Sequence, residues 1–331
     1  MSEYRTLVGE AVQNIPGSTG VVEGQVWYDS TNPTTFKLQA FQTAAWSSGG
    51  SRSNNTFRGA GFGTITDAVS SGGTQTPPLP AGPINATTEV YNGTSWTSGT
   101  SAPLNLGYVT AGGTSPAGIV NTGESPPGSG TTTIEYASGT WTTGGTQNYA
   151  AQNAIGAGTQ TSYIQAGGVF QPSYTEKNNA DSYNGTSWTS ITNYPAVIAK
   201  GGGAGNYAAA FFYGGSPTPS SGTLTNNWTG SAWTTGPTIP TASSNMNQNN
   251  SGPADGALNA GILTTTTCLL YDGTSWSTDQ TASNASPDGM SGAGGALPTA
   301  GLLKWGSPGS AAVTCEEYQG AKEATKSITT S

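Results

Sequence analysis

The chain has 331 residues, a formal net charge of −8 and only 8% charged residues. Between residues 60 and 300 the only cations are Lys177 and Lys200, so a nucleic-acid surface, which needs clustered Lys and Arg, is not expected. No apolar run reaches 18 residues, so we expect no membrane insertion. Histidine is absent. This excludes His-based acid–base catalysis, Ser-His-Asp and Cys-His arrangements and most zinc or copper sites, and we expect no cofactor and no metal.

The first 35 residues fall outside any repeat. Residues 1–20 carry acidic groups and no apolar stretch, which excludes a secretory leader and predicts an arm without a core of its own. Residues 24–41 predict a hairpin in which the strands VWYDS and TTFKLQAF are joined by an Asn-Pro turn. We therefore assign residues 1–35 to an N-terminal arm and hairpin.

An aromatic residue then stands five positions before a tryptophan six times. The pairs are Phe41/Trp46, Tyr91/Trp96, Tyr136/Trp141, Tyr183/Trp188, Trp228/Trp233 and Tyr271/Trp276. Successive tryptophans are 50, 45, 47, 45 and 43 residues apart. A repeat of this length built from short segments is typical of a propeller blade.

Each repeat contains four short segments of strand character and no helical periodicity, which predicts an all-β propeller of four-stranded blades. The last two segments are separated by Asn-Gly, Asp-Gly or a similar pair, as in YNGTSW at 91–96 and 183–188 and YDGTSW at 271–276. Such pairs favour two-residue hairpin turns in which both central residues have positive φ.

The two ends of the repeat region predict how the ring closes. The last repeat reaches Tyr318 without a following tryptophan, and Trp46 has no complete repeat before it. If the strands around Trp46 and Tyr318 pair, six blades result and no edge is left unpaired between the first and last blade. Seven blades, with residues 21–46 as a partial blade, is the alternative. We assign the propeller to residues 36–320 and a polar, solvated tail to residues 321–331.

The two cysteines, Cys268 and Cys315, each stand three residues before a repeat aromatic. Equivalent positions of adjacent blades are expected to be further apart than the roughly 7 Å between Cα atoms that a disulfide allows. We therefore expect two buried thiols that pack as small apolar groups.

Repeats with a glycine doublet, a tyrosine and a following tryptophan resemble kelch repeats. The doublets are Gly72-Gly73, Gly112-Gly113, Gly167-Gly168 and Gly214-Gly215. The phrase YNGTSWT, together with the opening GQVWYDSTNPTTFK and AAWSSGG, is similar to kelch-type propellers among the virion proteins of marine bacteriophages.

This resemblance implies a virion part of the tail-fibre, tail-associated or capsid-decorating type. It further implies that the arm docks on other virion proteins, and we take Tyr4, Arg5, Leu7 and Val8 as its anchor residues. The propeller would then be displayed for attachment to a host-surface glycan or protein. A purely structural part that holds neighbouring virion subunits is the alternative, and a homo-oligomer in the particle is compatible with both.

Paired carboxylates are the remaining route to catalysis, since two of them can hydrolyse a glycoside. Glu89, Asp181 and Glu316 each stand two residues before a repeat aromatic. Because this slot recurs, it indicates a role in the blade and not in one asymmetric active site. We therefore expect no enzyme, and a glycan depolymerase is the least favoured reading.

The aromatic residues divide into two sets. Those of the repeat are expected to fill the space between blades, and they are Trp46, Trp96, Trp141, Trp188, Trp233, Trp276, Tyr91, Tyr136, Tyr183, Trp228, Tyr271 and Tyr318. The aromatics outside the repeat are candidates for surface binding, because loops on a rigid scaffold usually carry binding sites. They are Tyr108, Tyr174, Tyr194 and Trp305.

Overall fold

The computed structural model describes residues 14–15, 26–29, 36–75, 83–121, 123–125, 128–170, 173–217, 222–244, 253–260, 265–283, 291–294, 301–305, 313–320 and 322–328. Within these residues the extended regular elements are all β-strands, which confirms the all-β prediction. No helix in this part of the chain is long and apolar enough to cross a bilayer. Contacts divide the chain into a large unit, Trp46–Gln319, and a smaller unit formed by the residues that flank it.

Four four-stranded antiparallel sheets follow one another in the large unit, each described from its first to its last strand along the chain. Sheet one has the strands Ala60–Thr64, Asp67–Ser71, Thr88–Tyr91 and Trp96–Ser98. Sheet two has Thr110–Thr114, Ala117–Asn121, Thr133–Ala137 and Thr140–Thr143. Sheet three has Ile155–Thr159, Ser162–Ala166, Ala180–Tyr183 and Trp188–Ser190. Sheet four has Gly202–Asn206, Ala209–Tyr213, Thr225–Trp228 and Trp233–Thr235.

Two further sheets complete the series. The described strands of sheet five are Ala257–Ala260, Cys268–Tyr271 and Trp276–Asp279. Sheet six has Ser291–Gly294, Gly301–Trp305, Cys315–Gln319 and, at its edge, Ala45–Ser48 from the start of the unit. The strand that carries Trp46 therefore lies beside the strand that carries Tyr318.

Short strand pairs lie in the connections between the main strands. They are Thr56–Phe57 with Thr74–Gln75, Glu124–Ser125 with Gly128–Ser129, and the trio Ala151–Gln152, Val169–Phe170 and Thr175–Glu176.

The first strands of neighbouring sheets contact one another. Contacts join sheet one to sheet two, two to three, three to four, and sheet six back to sheet one. The approach is close: a Cβ on Gly112, in the first strand of sheet two, would lie 2.5 Å from the carbonyl oxygen of Gly158 in sheet three. A side chain there would force the strands apart, so glycine is required for the approach rather than for a turn. We call these first strands the inner strands.

The apolar core lies between neighbouring sheets. Phe62 of sheet one packs on Tyr136 and Trp141 of sheet two, with ring centroids 5.6 and 6.3 Å apart. Phe211 of sheet four stacks on Tyr271 of sheet five at 4.1 Å. Large aromatic groups thus fill these two inter-sheet layers, and such groups bury a large apolar area.

The repeat aromatics are cross-strand partners within each sheet. In five sheets the aromatic residue lies directly opposite the tryptophan five positions later, and the ring centroids are 4.8 to 5.3 Å apart. The first pair of the sequence analysis is an exception. Phe41 belongs to the smaller unit, and Trp46 packs instead on Tyr318 at 5.3 Å, because that strand is its neighbour in sheet six.

The Asn-Gly turns differ from the expectation. Of Asn92 and Gly93 only Gly93 has positive φ, and Asn92 instead accepts hydrogen bonds at Oδ1 from the backbone N–H groups of Thr94 and Ser95, at 3.0 and 2.9 Å. The loop therefore has four residues and is closed by an Asx turn. A two-residue turn with two positive φ values occurs at Ser138-Gly139, in the looser copy of the motif.

One glycine doublet was assigned to the wrong place. Gly72-Gly73, Gly167-Gly168 and Gly214-Gly215 all follow the second strand of a sheet and have positive φ. Gly112-Gly113 lies inside the inner strand of sheet two. Sequence alone did not separate the two positions, because inner strands are themselves rich in glycine.

The smaller unit is a four-stranded sheet in the order Asn14–Ile15, Val26–Asp29, Phe36–Gln42 and Lys322–Ile328. The hairpin expected at 24–41 is present. Residues 322–328, however, are a strand antiparallel to Phe36–Gln42 and not a free tail. Contacts place the large unit at Trp46–Gln319, whereas the sequence analysis placed the propeller at residues 36–320. The edge of the hairpin offers unpaired backbone groups, which a polar segment can satisfy as well as an apolar one.

Candidate functional site

The two ends of the sheets carry different connections. In the large unit the turns between first and second strands and between third and fourth strands are short, and they lie at one end, which we call the turn end. The longer connections leave the opposite end, which we call the loop end. Binding residues are more often found on such loops than on tight turns.

At the loop end, four residues are joined in a row by backbone hydrogen bonds. Each stands two positions before the first residue of an inner strand. Tyr108 donates its N–H to the carbonyl of Arg58 at 2.9 Å. Asn153 donates to Tyr108 at 2.8 Å, and Lys200 donates to Asn153 at 2.9 Å. We call Arg58, Tyr108, Asn153 and Lys200 the arc. It links four successive sheets at the start of their inner strands.

All four arc residues have a left-handed backbone conformation. Their φ values are 60°, 53°, 55° and 60° in chain order. For a residue with a side chain this conformation costs roughly 1–2 kcal/mol, although asparagine tolerates it better than most. The same strained backbone conformation occurs at one position in four successive repeats. Such strain often marks a functional site, so we expect the side chains at this position to have a role.

The Arg58 side chain is held over aromatic rings. Its guanidinium carbon lies 4.5 Å from the ring centroid of Tyr108 and 5.0 Å from that of Phe57, and it donates a hydrogen bond to the Tyr108 hydroxyl. Arg58, Tyr108 and Lys200 are half-buried, and Asn153 is buried. The contacts fix the position of the guanidinium, since cation–π stacking limits its rotamers.

A small three-stranded sheet extends the loop end beside the arc. Its strand Ala151–Gln152 directly precedes Asn153, and its hairpin Val169–Phe170/Thr175–Glu176 carries Tyr174. Tyr174 is 73% exposed. In the same sheet, Phe170 stacks on Tyr149 with ring centroids 4.9 Å apart. The hairpin therefore carries one aromatic side chain that is packed and one, Tyr174, that is exposed.

The four residues predicted to bind at the surface differ in where the structure places them. Tyr108 belongs to the arc, and Tyr174 is exposed at the loop end. Tyr194 was wrong as a surface residue: it is 1% exposed, and its hydroxyl accepts a hydrogen bond from Asn226 Nδ2 at 2.8 Å. Trp305 ends the second strand of sheet six. The anchor candidates Tyr4, Arg5, Leu7 and Val8 lie outside the described residues.

The burial of Tyr194 follows from a slot that the sequence analysis missed. The residue six positions after each repeat tryptophan is buried between sheets, and the set is Arg52, Ala102, Gln147, Tyr194, Ile239 and Ala282. A fixed spacing from the tryptophan could have found it. The arc has a similar spacing, because its members stand twelve residues after Trp46, Trp96, Trp141 and Trp188. Asn245 and Asp288 share that spacing and lie outside the described residues.

The recurring carboxylates are used between sheets. Glu89 binds Arg52 through Nε at 3.1 Å, and Glu316 accepts the N–H of Ser283 at 2.7 Å. Asp181 is buried, and its Oδ2 has no hydrogen-bond partner among the described residues. The three carboxylates belong to sheets one, six and three, so the recurring position is filled once in each of three separate sheets.

A second set of carboxylates accepts hydrogen bonds from repeat tyrosines. Glu135 accepts from the Tyr183 hydroxyl at 2.7 Å, and Glu317 accepts from that of Tyr91. Glu316 and Glu317 are neighbours in one strand and bond to partners on opposite sides of it. No three His, Cys, Asp or Glu side chains of the described residues come together in a way that could hold a metal ion.

No protein-family model and no curated protein matches the chain. Among solved structures, the chain is similar to the structure of YjhT, with a TM-score of 0.62 and 10% sequence identity over 83% of this chain and 99% of that chain. At this identity the likeness concerns the fold alone. Together with the six small antiparallel sheets, it supports a β-propeller-like fold.

Proposed function

We propose that this protein is a non-enzymatic structural part of a bacteriophage particle, and that its propeller recognises a host-surface glycan or protein through the loop end. The arc is the observation that supports recognition. Its four residues have a strained backbone conformation, and their side chains can bind a ligand. The virion location rests on the resemblance of YNGTSWT, GQVWYDSTNPTTFK and AAWSSGG to kelch-type virion propellers.

The proposal includes a closed ring of six blades. Its support is a hydrogen bond to the preceding sheet that recurs at three of the six repeat tryptophans, Trp46, Trp141 and Trp233. The indole N–H groups of Trp141 and Trp233 bind the carbonyls of Thr100 and Thr192, each four residues after the preceding tryptophan. Trp46 binds Gln280, which is four residues after Trp276. Trp46 therefore occupies the tryptophan position of the blade that follows sheet five.

The non-enzymatic part of the proposal is supported by how the carboxylates are used. Glycoside hydrolysis by a carboxylate pair needs the two groups within about 5 to 10 Å of each other and facing the substrate. Glu89 and Glu316 are instead buried, and the half-buried Glu135 and Glu317 accept hydrogen bonds from tyrosines of a neighbouring sheet. A glycan depolymerase is thus not favoured.

A test compares the full chain with two variants in binding to purified phage particles and to host cells. One variant lacks residues 1–13, which precede the first described strand and include Tyr4, Arg5, Leu7 and Val8. The other carries Arg58→Gly and Lys200→Gly in the arc. We expect the truncation to abolish particle binding only, and the arc variant to abolish host binding only.

Two results would overturn this assignment. If none of the three proteins binds host cells while the full chain binds particles, the propeller is a structural or decorating part that holds neighbouring subunits. If the full chain binds neither, the virion assignment itself fails.

A further inference from the structure

The arc is the one repeated left-handed position of the described sheets that does not use glycine. The other repeated positions with positive φ, grouped by place in the repeat, are Gly63, Gly113, Gly158 and Gly205; Gly72, Gly167 and Gly214; Gly73, Gly168 and Gly215; and Gly93, Gly139, Gly185, Gly230 and Gly273. A chain with 50 glycines places Arg, Tyr, Asn and Lys at the remaining position. Glycine would adopt this conformation without strain. The presence of larger residues therefore indicates that their side chains have a function at this position.

The charges of the arc are of one sign. Arg58 and Lys200 stand at its two ends, and neither Tyr108 nor Asn153 carries a charge. The connections at the loop end also carry the carboxylates Glu124 and Glu176, and Glu176 accepts a hydrogen bond from the Ser216 hydroxyl. Within the arc itself the charged side chains are the two cations, which attract an anionic ligand.

We propose that the arc binds an anionic saccharide. This proposal rests on the proposed recognition function and names its ligand class. Carboxylate, sulfate or phosphate groups of the saccharide bind the Arg58 guanidinium at one end of the arc and the Lys200 ammonium at the other. The exposed Tyr174 ring on the adjacent hairpin supplies a flat apolar surface for a neighbouring sugar ring.

Preorganisation favours this ligand over a neutral one. The Arg58 guanidinium is already positioned by Tyr108 and Phe57, so little side-chain entropy is lost when an anion binds. A planar guanidinium also offers two parallel N–H donors to a carboxylate or phosphate, which an amide or hydroxyl of a neutral sugar does not match. Binding should therefore weaken as the salt concentration rises.

The backbone conformation of the arc allows substitutions that remove its charges with little effect on folding. Arg58→Gly and Lys200→Gly remove the charges at positions where glycine is favoured. The folded state should therefore persist, which circular dichroism and the melting temperature would verify. Lys177→Ala is the matched control for Lys200→Gly, because it also removes one positive charge but from an exposed residue outside the arc.

The experiment measures binding of the full chain and these variants to an immobilised panel of uronate-containing, sulfated, phosphorylated and neutral oligosaccharides. A galacturonic acid trimer and its methyl ester form a pair with the same sugar rings, in which the ester has lost the negative charges. We expect the wild type to bind acidic members preferentially. The double variant should bind them about tenfold more weakly or worse, because hydrogen bonds between charged groups are lost, and Lys177→Ala should bind like the wild type.

Each outcome decides the matter. Equal binding of acidic and neutral members, no binding of any acidic member, or unchanged binding by the folded double variant would overturn the proposal. The type of acidic member that binds distinguishes carboxylate from sulfate or phosphate. If the protein binds host cells but none of the acidic oligosaccharides, the proposed recognition function stands and only the anionic ligand is ruled out.

Discussion

Arg52 donates from Nε to Glu89 Oε2 at 3.1 Å, and the two side chains are 1% and 3% exposed. The pair lies at the start of the large unit, where the loop after Trp46 enters the layer beside sheet one. The backbone N–H of Ser53 also binds Glu89, at 2.7 Å. This buried ion pair is therefore supported by further hydrogen bonds, which such pairs need to offset the loss of hydration.

Glu89→Gln is expected to destabilise the protein by about 3 kcal/mol or more, because it leaves the buried Arg52 charge without its counter-charge. Urea unfolding followed by tryptophan fluorescence would measure this. The equivalent change in sheet three, Asp181→Asn, is the control. It removes a buried carboxylate that has no cation in the equivalent slot, where Gln147 stands, so the free energy of unfolding should stay the same or rise. Equal losses in both variants would contradict this account.

Gly118→Ala is expected to cost about 1–3 kcal/mol by overpacking. A Cβ at this position in sheet two would lie 2.2 Å from Cε2 and 2.5 Å from Cζ of Phe62 in sheet one. Phe62→Leu removes both atoms. The double variant should consequently be more stable than the sum of the two single changes predicts. A double-mutant cycle from denaturant titrations would measure the coupling, and simple additivity would show that the two sheets do not constrain each other here.

Trp46→Ala should destabilise the large unit as strongly as Trp141→Ala, by about 3 kcal/mol or more for the loss of a partly buried tryptophan. Both indoles donate to a carbonyl of the preceding sheet, at 3.0 and 2.9 Å. Equal losses in urea unfolding are expected if the strand of Trp46 closes the ring. A much smaller loss for Trp46→Ala would mean that this strand is a dispensable edge.

Stability should fall at alkaline pH. Burial raises the pKa of Tyr183 from 10.0 to about 12, and the nearby Glu135 carboxylate adds to the shift. Burial also raises the pKa of Cys315 from 9.0 to about 12, although Arg52 opposes this. Since both folded values lie above the unfolded ones, the unfolded chain loses these protons first. The stabilisation is complete below about pH 9 and is lost progressively between pH 9 and 12.

Urea titrations at pH 7.5, 9.5 and 10.5 would follow this loss. Tyr183→Phe and Cys315→Ala each remove one of the two groups, and each should make the decline with pH shallower than in the wild type. A stability that rises between pH 9 and 10.5 would contradict the assigned direction of the pKa shifts.

Both cysteines should resist thiol reagents in the native state. Cys268 and Cys315 are buried and form no disulfide, as expected from the sequence, and the thiolate is the reactive form. With Ellman's reagent at pH 8 we expect no release of chromophore from the folded protein and two equivalents after unfolding in guanidinium chloride. Rapid labelling of one cysteine in the native protein would show that its sheet opens readily.

The strand content, the repeat and a hairpin between each repeat aromatic after Phe41 and its tryptophan could be predicted from the sequence alone. These features are local: period and turn composition fix a hairpin through contacts between residues close in the chain. The fixed spacing of six and twelve residues from each tryptophan was also present in the sequence, although its meaning was not evident there.

The remaining features depend on contacts between residues that are far apart in the chain. Tyr194 and Tyr174 stand in similar polar contexts, yet one is buried against Asn226 and the other is exposed, because burial depends on which neighbouring sheet covers the residue. The strand at 322–328 depends on the hairpin edge that it meets. The arc depends on backbone conformations and on hydrogen bonds between residues 45 to 50 positions apart. Such long-range pairing places side chains together that no local pattern can bring into contact.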